Sequence, residues 1–328
     1  MKIKAAIIGM GIGKKHFEAI ENFKNSEVKI ICEKNNKKFN YYKNKYPNKV
    51  VTKNENEIFN NKEINLVSIA SYDNFHYSQI LKSLKSNKHI IVEKPICLTE
   101  NQLKKIFLKL KLKKKIKFIS NLVLRTEKIF HIFKKKINSG KIFYIEGDYI
   151  WGRKKKLFGW RSKIKNYSLI LGAAIHMVDL LIFLTKQRPI NVYAIGSDKL
   201  TQKSKFKKKS FVLLFLEFSS GLIAKISANG VADHPHFHEL KIFCHNQTLL
   251  HTSLGTTEIR KSNFKLAKFK YPDKKNRKKL IQNFINLIIK KKKQQLIPLK
   301  EQFYSMSICL AAEKSLKSKK KIKINYLK

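Results

Sequence analysis

An apolar run that ends abruptly in a glycine-rich turn is the feature that most limits the folds open to this chain. Residues 2–8 (Lys-Ile-Lys-Ala-Ala-Ile-Ile) read as a buried strand. Gly9-Met10-Gly11-Ile12-Gly13 follows at once, and Lys14 to Phe23 carries a helical pattern with Phe17, Ala19 and Ile20 facing inward. In a strand–turn–helix of this kind the glycines let a ligand approach the backbone. The free amide hydrogens of the helix end can then hold a pyrophosphate.

A lone glycine pattern carries little weight, so its surroundings decide. Val28 to Cys32 reads as a second strand, and Glu33 stands at its end, twenty positions after Gly13. An acid there accepts hydrogen bonds from both ribose hydroxyls of a dinucleotide and repels a 2′-phosphate, which favours NAD. Lys34 beside it acts the other way and keeps NADP as the alternative. Leu66 to Ala70 and Ile90 to Val92 are further strands. Helices are expected from about Asn74 to Ser86 and from Thr99, which can cap the second. This alternation implies an α/β domain with a parallel sheet covered on both faces.

Glu93-Lys94-Pro95 follows the run His89-Ile90-Ile91-Val92. A lysine at the carboxyl end of a strand in such a sheet lies where these sheets place their ligands. The proline biases Lys94 toward extended angles and so directs its amine. Lys94 is thus a candidate acid/base at a nicotinamide site. Asp73, Asn74 and His76 fall at another strand end, with His76 either a ligand contact or a helix-start histidine satisfied by backbone.

The rhythm changes after about residue 120. Ile142 to Ile150, Asn191 to Gly196, Phe211 to Phe218, Leu222 to Ala228 and His238 to His245 read as strands, with a hairpin at Ser219-Ser220-Gly221. Helical patterns cover 171–186 and 276–292, and Glu301 to Ser318 reads as a helix followed by a short strand. The expectation is an α+β domain on a large, mostly antiparallel sheet over 121–328, after a dinucleotide-binding domain over 1–120. No internal repeat is present.

The formal charge of +49 points first to nucleic acid or an anionic membrane. Only six of the 71 basic residues are arginine, however, and base recognition leans on arginine's planar fork. The lysines are spread out and accompany an excess of Ile, Asn, Phe and Tyr, so they read as solvated surface and no specific nucleic-acid partner is expected. The clusters Lys113–Lys115, Lys134–Lys136, Lys207–Lys209 and Lys290–Lys293 are assigned to helix surfaces and loops. Cys32, Cys97, Cys244 and Cys309 form no CxxC pair, which fits reduced thiols in a cytoplasmic protein. The short run Ala5 to Ile8 does not read as a signal peptide. Ser168 to Thr185 approaches membrane-spanning length, but His176 and Asp179 near its middle make a buried helix the better reading.

Three groups in the second half could carry chemistry. His176 and Asp179 lie at i and i+3 on one helix face. Trp151-Gly152-Arg153 and Gly159-Trp160-Arg161 keep a rare residue type that clamps anions bidentately. His234, His236 and His238 alternate at strand period; with no further ligand in view, an edge or interface strand is favoured and no metal is expected.

Taken together these segments resemble the Gfo/Idh/MocA oxidoreductases over essentially the whole chain. The glycine turn with His16 behind it, Leu66 through His76, His89 through Pro95 and His176-Met-Val-Asp179 each resemble a motif of that family. The segment from Gly152-Arg153 to Asp179 is similar to members associated with surface-polysaccharide and sugar-nucleotide metabolism. The resemblance implies an N-terminal Rossmann domain and a C-terminal substrate-binding and oligomerisation domain. It also implies that the C-terminal helix packs back near the first domain, and that the protein is a homodimer or homotetramer. It implies that Lys94 is the catalytic acid/base and His176 its partner. Cofactor contacts are implied at Gly9, Met10, Gly11, Ile12, Gly13, Glu33, Ser71, Tyr72, His76, Glu93, Lys94, Trp160 and Arg161. Substrate contacts are implied at Lys94, Arg153, Arg161, His176 and Asp179.

Three departures stand out. The glycine turn is one residue shorter than usual, Tyr72 replaces a usual proline, and Gly172 replaces an aspartate four residues before the histidine. The expected activity is hydride transfer between NAD(P) and a secondary alcohol or ketone of a sugar, sugar nucleotide or polyol. A free lysine amine titrates at about pH 10.4, so the role needs desolvation and nearby positive charge to lower it. Gly172 motivates the alternative, a cofactor-binding sensor or partner subunit with little turnover.

Overall fold

The computed structural model describes residues 2–137, 141–261, 263–267, 271–291 and 295–327. The chain forms two compact units that interleave in sequence: residues 1–126 with 274–302, and residues 127–273 with 303–328. A single cut at 120 therefore leaves out a segment, because 274–302 joins the first unit.

In the first unit, β1 (Ile3–Ile8), α1 (Gly13–Glu21), β2 (Ser26–Cys32), α2 (Asn36–Lys45), β3 (Val50–Thr52) and α3 (Asn56–Asn60) form the first half. Then come β4 (Leu66–Ile69), α4 (His76–Lys85), β5 (His89–Val92), α5 (Glu100–Leu112) and β6 (Phe118–Ser120). The strands make one parallel sheet in the order β3-β2-β1-β4-β5-β6. Strands β1, β4 and β5 are almost entirely buried, which is why their sequences are continuous apolar runs rather than alternating ones. Thr99 caps α5 as expected, its hydroxyl accepting the Gln102 amide at 3.3 Å.

The second unit holds α6 (Lys128–Lys136), β7 (Ile142–Ile150), α7 (Ile175–Thr185), β8 (Pro189–Ser197), β9 (Phe211–Phe218) and β10 (Ile223–Asn229). β11 (Phe237–Cys244), β12 (Gln247–Thr252), β13 (Gly255–Arg260) and β14 (Asn263–Ala267) follow. Next in sequence is α8 (Asn276–Ile289), which belongs to the first unit. Last are α9 (Leu299–Ser318), which begins in the first unit and continues in the second, and β15 (Ile322–Lys323). The sheet runs β14-β13-β12-β11-β7-β10-β9-β8-β15, antiparallel except for the β7–β10 pair. The hairpin at 219–221 joins β9 to β10 as read from the sequence.

Every residue of α7 is buried. A helix apolar on all sides must be covered on all sides. Gly147 of β7 makes room for it: a Cβ there would stand 3.0 Å from Met177 Cε and 2.9 Å from Ile226 Cδ1. Among the described residues no helix is long and apolar enough to cross a membrane. The expected helix at 171–186 splits: a π-helical turn, Ile170–Ala174, precedes α7. His234 and His236 precede β11, and β11 lies between β12 and β7, so the edge-strand reading of these histidines is corrected. The lysine clusters fall on the turn after α5, the last turn of α6 and the loop before β9. Lys292 and Lys293 lie outside the described residues.

Two long-range ties hold α8 and the start of α9 to the first unit. Gln282 donates to the carbonyls of Ala19 (3.2 Å) and Asn22 (3.3 Å) at the end of α1. Arg125, wholly buried after β6, ion-pairs with Glu301. Arg125→Met strips the partly buried Glu301 carboxylate of its guanidinium, so a loss of about 2 kcal/mol is expected. Arg125→Met/Glu301→Gln should recover much of it. Urea denaturation checks both, and an unchanged midpoint for the single variant would show that the pair is incidental.

A candidate dinucleotide site and a histidine–aromatic cluster

The carboxyl ends of the parallel strands line up. Gly9 N donates to Cys32 O (2.8 Å), Ala70 N to Ile8 O (2.9 Å), Glu93 N to Ile69 O (2.9 Å) and Asn121 N to Val92 O (2.9 Å). Along that edge lie the glycine turn, Glu33, Ser71, Glu93 and Lys94.

The three glycines have three different reasons. Gly9 has φ +85°, and a Cβ there would meet the Ala70 carbonyl oxygen at 2.8 Å. Gly13 lets α1 pack on the sheet, since its Cβ would stand 3.1 Å from Ile7 and 3.2 Å from Ala70. Gly11 faces open space, with only Lys38 Nζ nearby at 3.8 Å from the Cβ position. A turn open at Gly11, at a helix start and beside a cation, fits a pyrophosphate. Met10 N–H donates to Glu33 Oε2 (2.9 Å) and Asn35 N–H to Oε1 (2.9 Å). An ionised carboxylate accepts about four hydrogen bonds, so Glu33 keeps capacity for ribose hydroxyls. Lys34 is drawn aside, its ammonium 5.4 Å from the Phe75 ring centroid. The residues present therefore fit NAD.

Ser71 donates to Gln79 Oε1 (2.7 Å), and Tyr72 is half exposed. His76 is fully buried; Nδ1 donates to Pro95 O (2.7 Å), and Nε2 lies 3.2 Å from Ser71 O. Its ring thus links the ends of β4 and β5 through backbone. The Lys94–Pro95 peptide bond is cis, and Lys94 is half-buried.

Glu93 is held by His16, which stands behind the glycine turn, and by Asn121 and Arg277, which the motif reading passed over. Its Oε1 accepts from Asn121 Nδ2 (2.6 Å), His16 Nε2 (3.1 Å) and Arg277 Nε (3.2 Å). A carboxylate only accepts, so His16 carries its proton on Nε2 and takes the Ser68 hydroxyl on Nδ1 (2.7 Å). Burial lowers the His16 pKa against the pull of Glu93, so the ring is neutral. Burial alone would raise the Glu93 carboxyl. The Arg277 charge, the His16 hydrogen bond and the Lys94 charge outweigh it and hold the carboxyl well below the usual range. Arg277 carried the same signal as Arg153 and Arg161, the rarity of its type. Asn121 stands at a strand end, like Glu33.

In the second unit His176 stacks on Tyr149 (5.8 Å between ring centroids, 8° between planes), with His238 edge-on at 6.3 Å. His236 completes the cluster, 4.8 Å from His238. Burial pushes His236 down to about 4 and His238 well below its usual value, each reinforced by neighbouring positive charge. The Tyr271 hydroxyl, its pKa raised far up by burial, shares a hydrogen bond with His238 Nδ1 (2.5 Å). Among the described residues no three His, Cys, Asp or Glu side chains converge as metal ligands. Asp179 is buried and accepts from the Ser305 hydroxyl (3.0 Å). The Arg161 guanidinium lies over Trp160 (4.3 Å) and Trp151 (4.9 Å), whereas Arg153 is exposed.

A strand edge of this kind fits the class of NAD(P)-dependent oxidoreductases. Residues 3–121 match the family described as oxidoreductases with an NAD-binding Rossmann fold, and 135–250 match the GFO/IDH/MocA C-terminal domain. The chain belongs to the GFO/IDH/MocA oxidoreductase family. No curated protein matches it in sequence. Its fold is similar to that of myo-inositol 2-dehydrogenase from Lactobacillus plantarum (TM-score 0.85, 20% identity, covering 99% of this chain and 100% of that one). It is also similar to scyllo-inositol dehydrogenase from Lactobacillus casei with bound NAD(H) and scyllo-inositol (0.82, 18%, 98% and 99%). Levoglucosan dehydrogenase in complex with NADH and levoglucosan is a third (0.85, 16%, 100% and 100%).

The structure also shows what stands beside Gly172. A Cβ there would lie 2.4 Å from the Tyr167 hydroxyl oxygen and 2.8 Å from Cζ. Tyr167 is buried, edge-on to Phe206 and Trp160, so it has little room to yield. Gly172→Asp is therefore expected to cost about 2 kcal/mol, the scale of overpacking. Gly172→Asp/Tyr167→Ala should tolerate the aspartate better. Thermal melting checks the pair, and a single variant as stable as the parent would contradict this packing.

Proposed function

We propose that the protein interconverts a secondary alcohol and the corresponding ketone on a sugar, sugar nucleotide or related polyol, with Lys94 as acid/base. The observation that carries this reading is the place of Lys94. It follows β5 at the same sheet edge as the glycine turn and Glu33, next to the anchored Glu93. When bound, NAD supplies the hydride acceptor or donor. Gly9 to Gly13 hold the pyrophosphate, Glu33 the ribose, and Ser71, Tyr72 and His76 shape the wall between.

In the oxidation direction the neutral Lys94 amine takes the hydroxyl proton; in reduction the ammonium returns it. His176 hydrogen-bonds the reacting oxygen or relays its proton, and Asp179 sits one turn along the same helix. Arg161, its plane set by two indole faces, and Arg153 hold an anionic group of the substrate, with Trp160 alongside. The inositol and levoglucosan dehydrogenases of similar fold support a polyol or sugar as substrate class. Association into dimers or tetramers through the sheet face that exposes Tyr193, Phe215 and Ile223 belongs to the same proposal. So does cytoplasmic residence.

The second reading, a cofactor-binding protein with little turnover, rests on Tyr167 filling the space at Gly172. Turnover of NAD with a panel of inositols, sugars and sugar nucleotides separates the two. Lys94→Ala should keep NADH binding and lose roughly a hundredfold or more in kcat, the scale of general acid–base catalysis. Normal turnover in that variant would remove Lys94 from the mechanism.

A further inference from the structure

Glu93 and Lys94 are neighbours in the chain, so charge on the first acts on the second. A carboxylate left uncompensated beside an amine favours the ammonium, the form that cannot take a proton. Glu93 is 6% exposed and ionised, so solvent does little to screen it. Its surroundings divide by charge. From α1 comes neutral His16, from β6 neutral Asn121, from α8 the charged Arg277, and from its own strand end Lys94. Arg277 Nε stands 3.2 Å from Oε1, and its side chain is 27% exposed.

We propose that Arg277 is a positioning residue for the acid/base step: it cancels the charge of Glu93 and so leaves the Lys94 amine able to release its proton. This rests on the reading of Lys94 given above. His16 and Asn121 supply enough hydrogen bonds to hold the carboxylate in place, so what Arg277 adds is its charge. A neutral donor at 277 would preserve the fold of this corner and lose the effect. A shorter cation would keep most of it.

Competitive acetylation of Lys94 across pH, read by peptide mass spectrometry on the full chain without cofactor, measures the fraction of free amine directly. In Arg277→Gln the midpoint of Lys94 labelling is expected to rise by about one pH unit, the lower end of shifts caused by a nearby opposite charge. Arg277→Lys should stay near the parent, and Arg277→Gln/Glu93→Gln should return toward it. The pH profile of kcat/KM for oxidation should move in step. If Arg277→Gln does not fold, Glu93→Gln alone serves, with a midpoint expected to fall. An unmoved midpoint in whichever variant folds overturns the proposal. The two readings fail separately. A shifted midpoint with normal turnover in Lys94→Ala would sink the catalytic role of Lys94 and leave the charge coupling standing. An unshifted midpoint with an inactive Lys94→Ala would do the reverse.

Discussion

One carboxylate oxygen, Glu93 Oε1, ties together four elements of the nucleotide-binding unit. It accepts from α1, from the end of β6 and from α8, and it stands itself at the end of β5. A buried charge is expensive unless it is paired and hydrogen-bonded, so these elements cannot drift apart without stranding it. Helix α8, some 150 residues after β6, belongs to the same unit and brings Arg277 to the carboxylate. Everything proposed for Lys94 depends on the strand end that this anchor fixes.

The second unit solves a different problem. Helix α7 is apolar on every side and is covered on every side, with Gly147 giving up its side chain so that β7 and α7 can meet. At one end of that packing, His176, His236, His238, Tyr149 and Tyr271 form an aromatic cluster in which half-buried His236 and buried His238 stay neutral.

Much of this was legible because the relevant signals are local. A buried parallel strand reads as a short apolar run, and its carboxyl end marks where ligands bind. That rule points to the glycine turn, Glu33 and Lys94, which stand along one edge of the parallel sheet. Long-range pairing left no such trace. Arg277 reaches Glu93 across 184 positions, and nothing in the residues around either one announces the other. The alternation of His234, His236 and His238 suggested an edge strand because period alone does not say what lies on either side. Pairing places β11 inside the sheet. At Gly172 the sequence shows a glycine but not its reason, since what a side chain there would meet is Tyr167, five residues earlier and brought alongside by the fold.

A fluorescence titration with NADH and, separately, NADPH tests the strand-edge dinucleotide site most directly. Physiological salt screens the surface lysines from the cofactor phosphates, with a Debye length of about 8 Å. Saturable binding that prefers NADH is the predicted result, because Glu33 has capacity for ribose hydroxyls and repels a 2′-phosphate. A preference for NADPH would mean that Lys34 and Lys38 outweigh Glu33. Binding of neither would contradict the central claim, and the oxidoreductase mechanism built on Lys94 would fall with it.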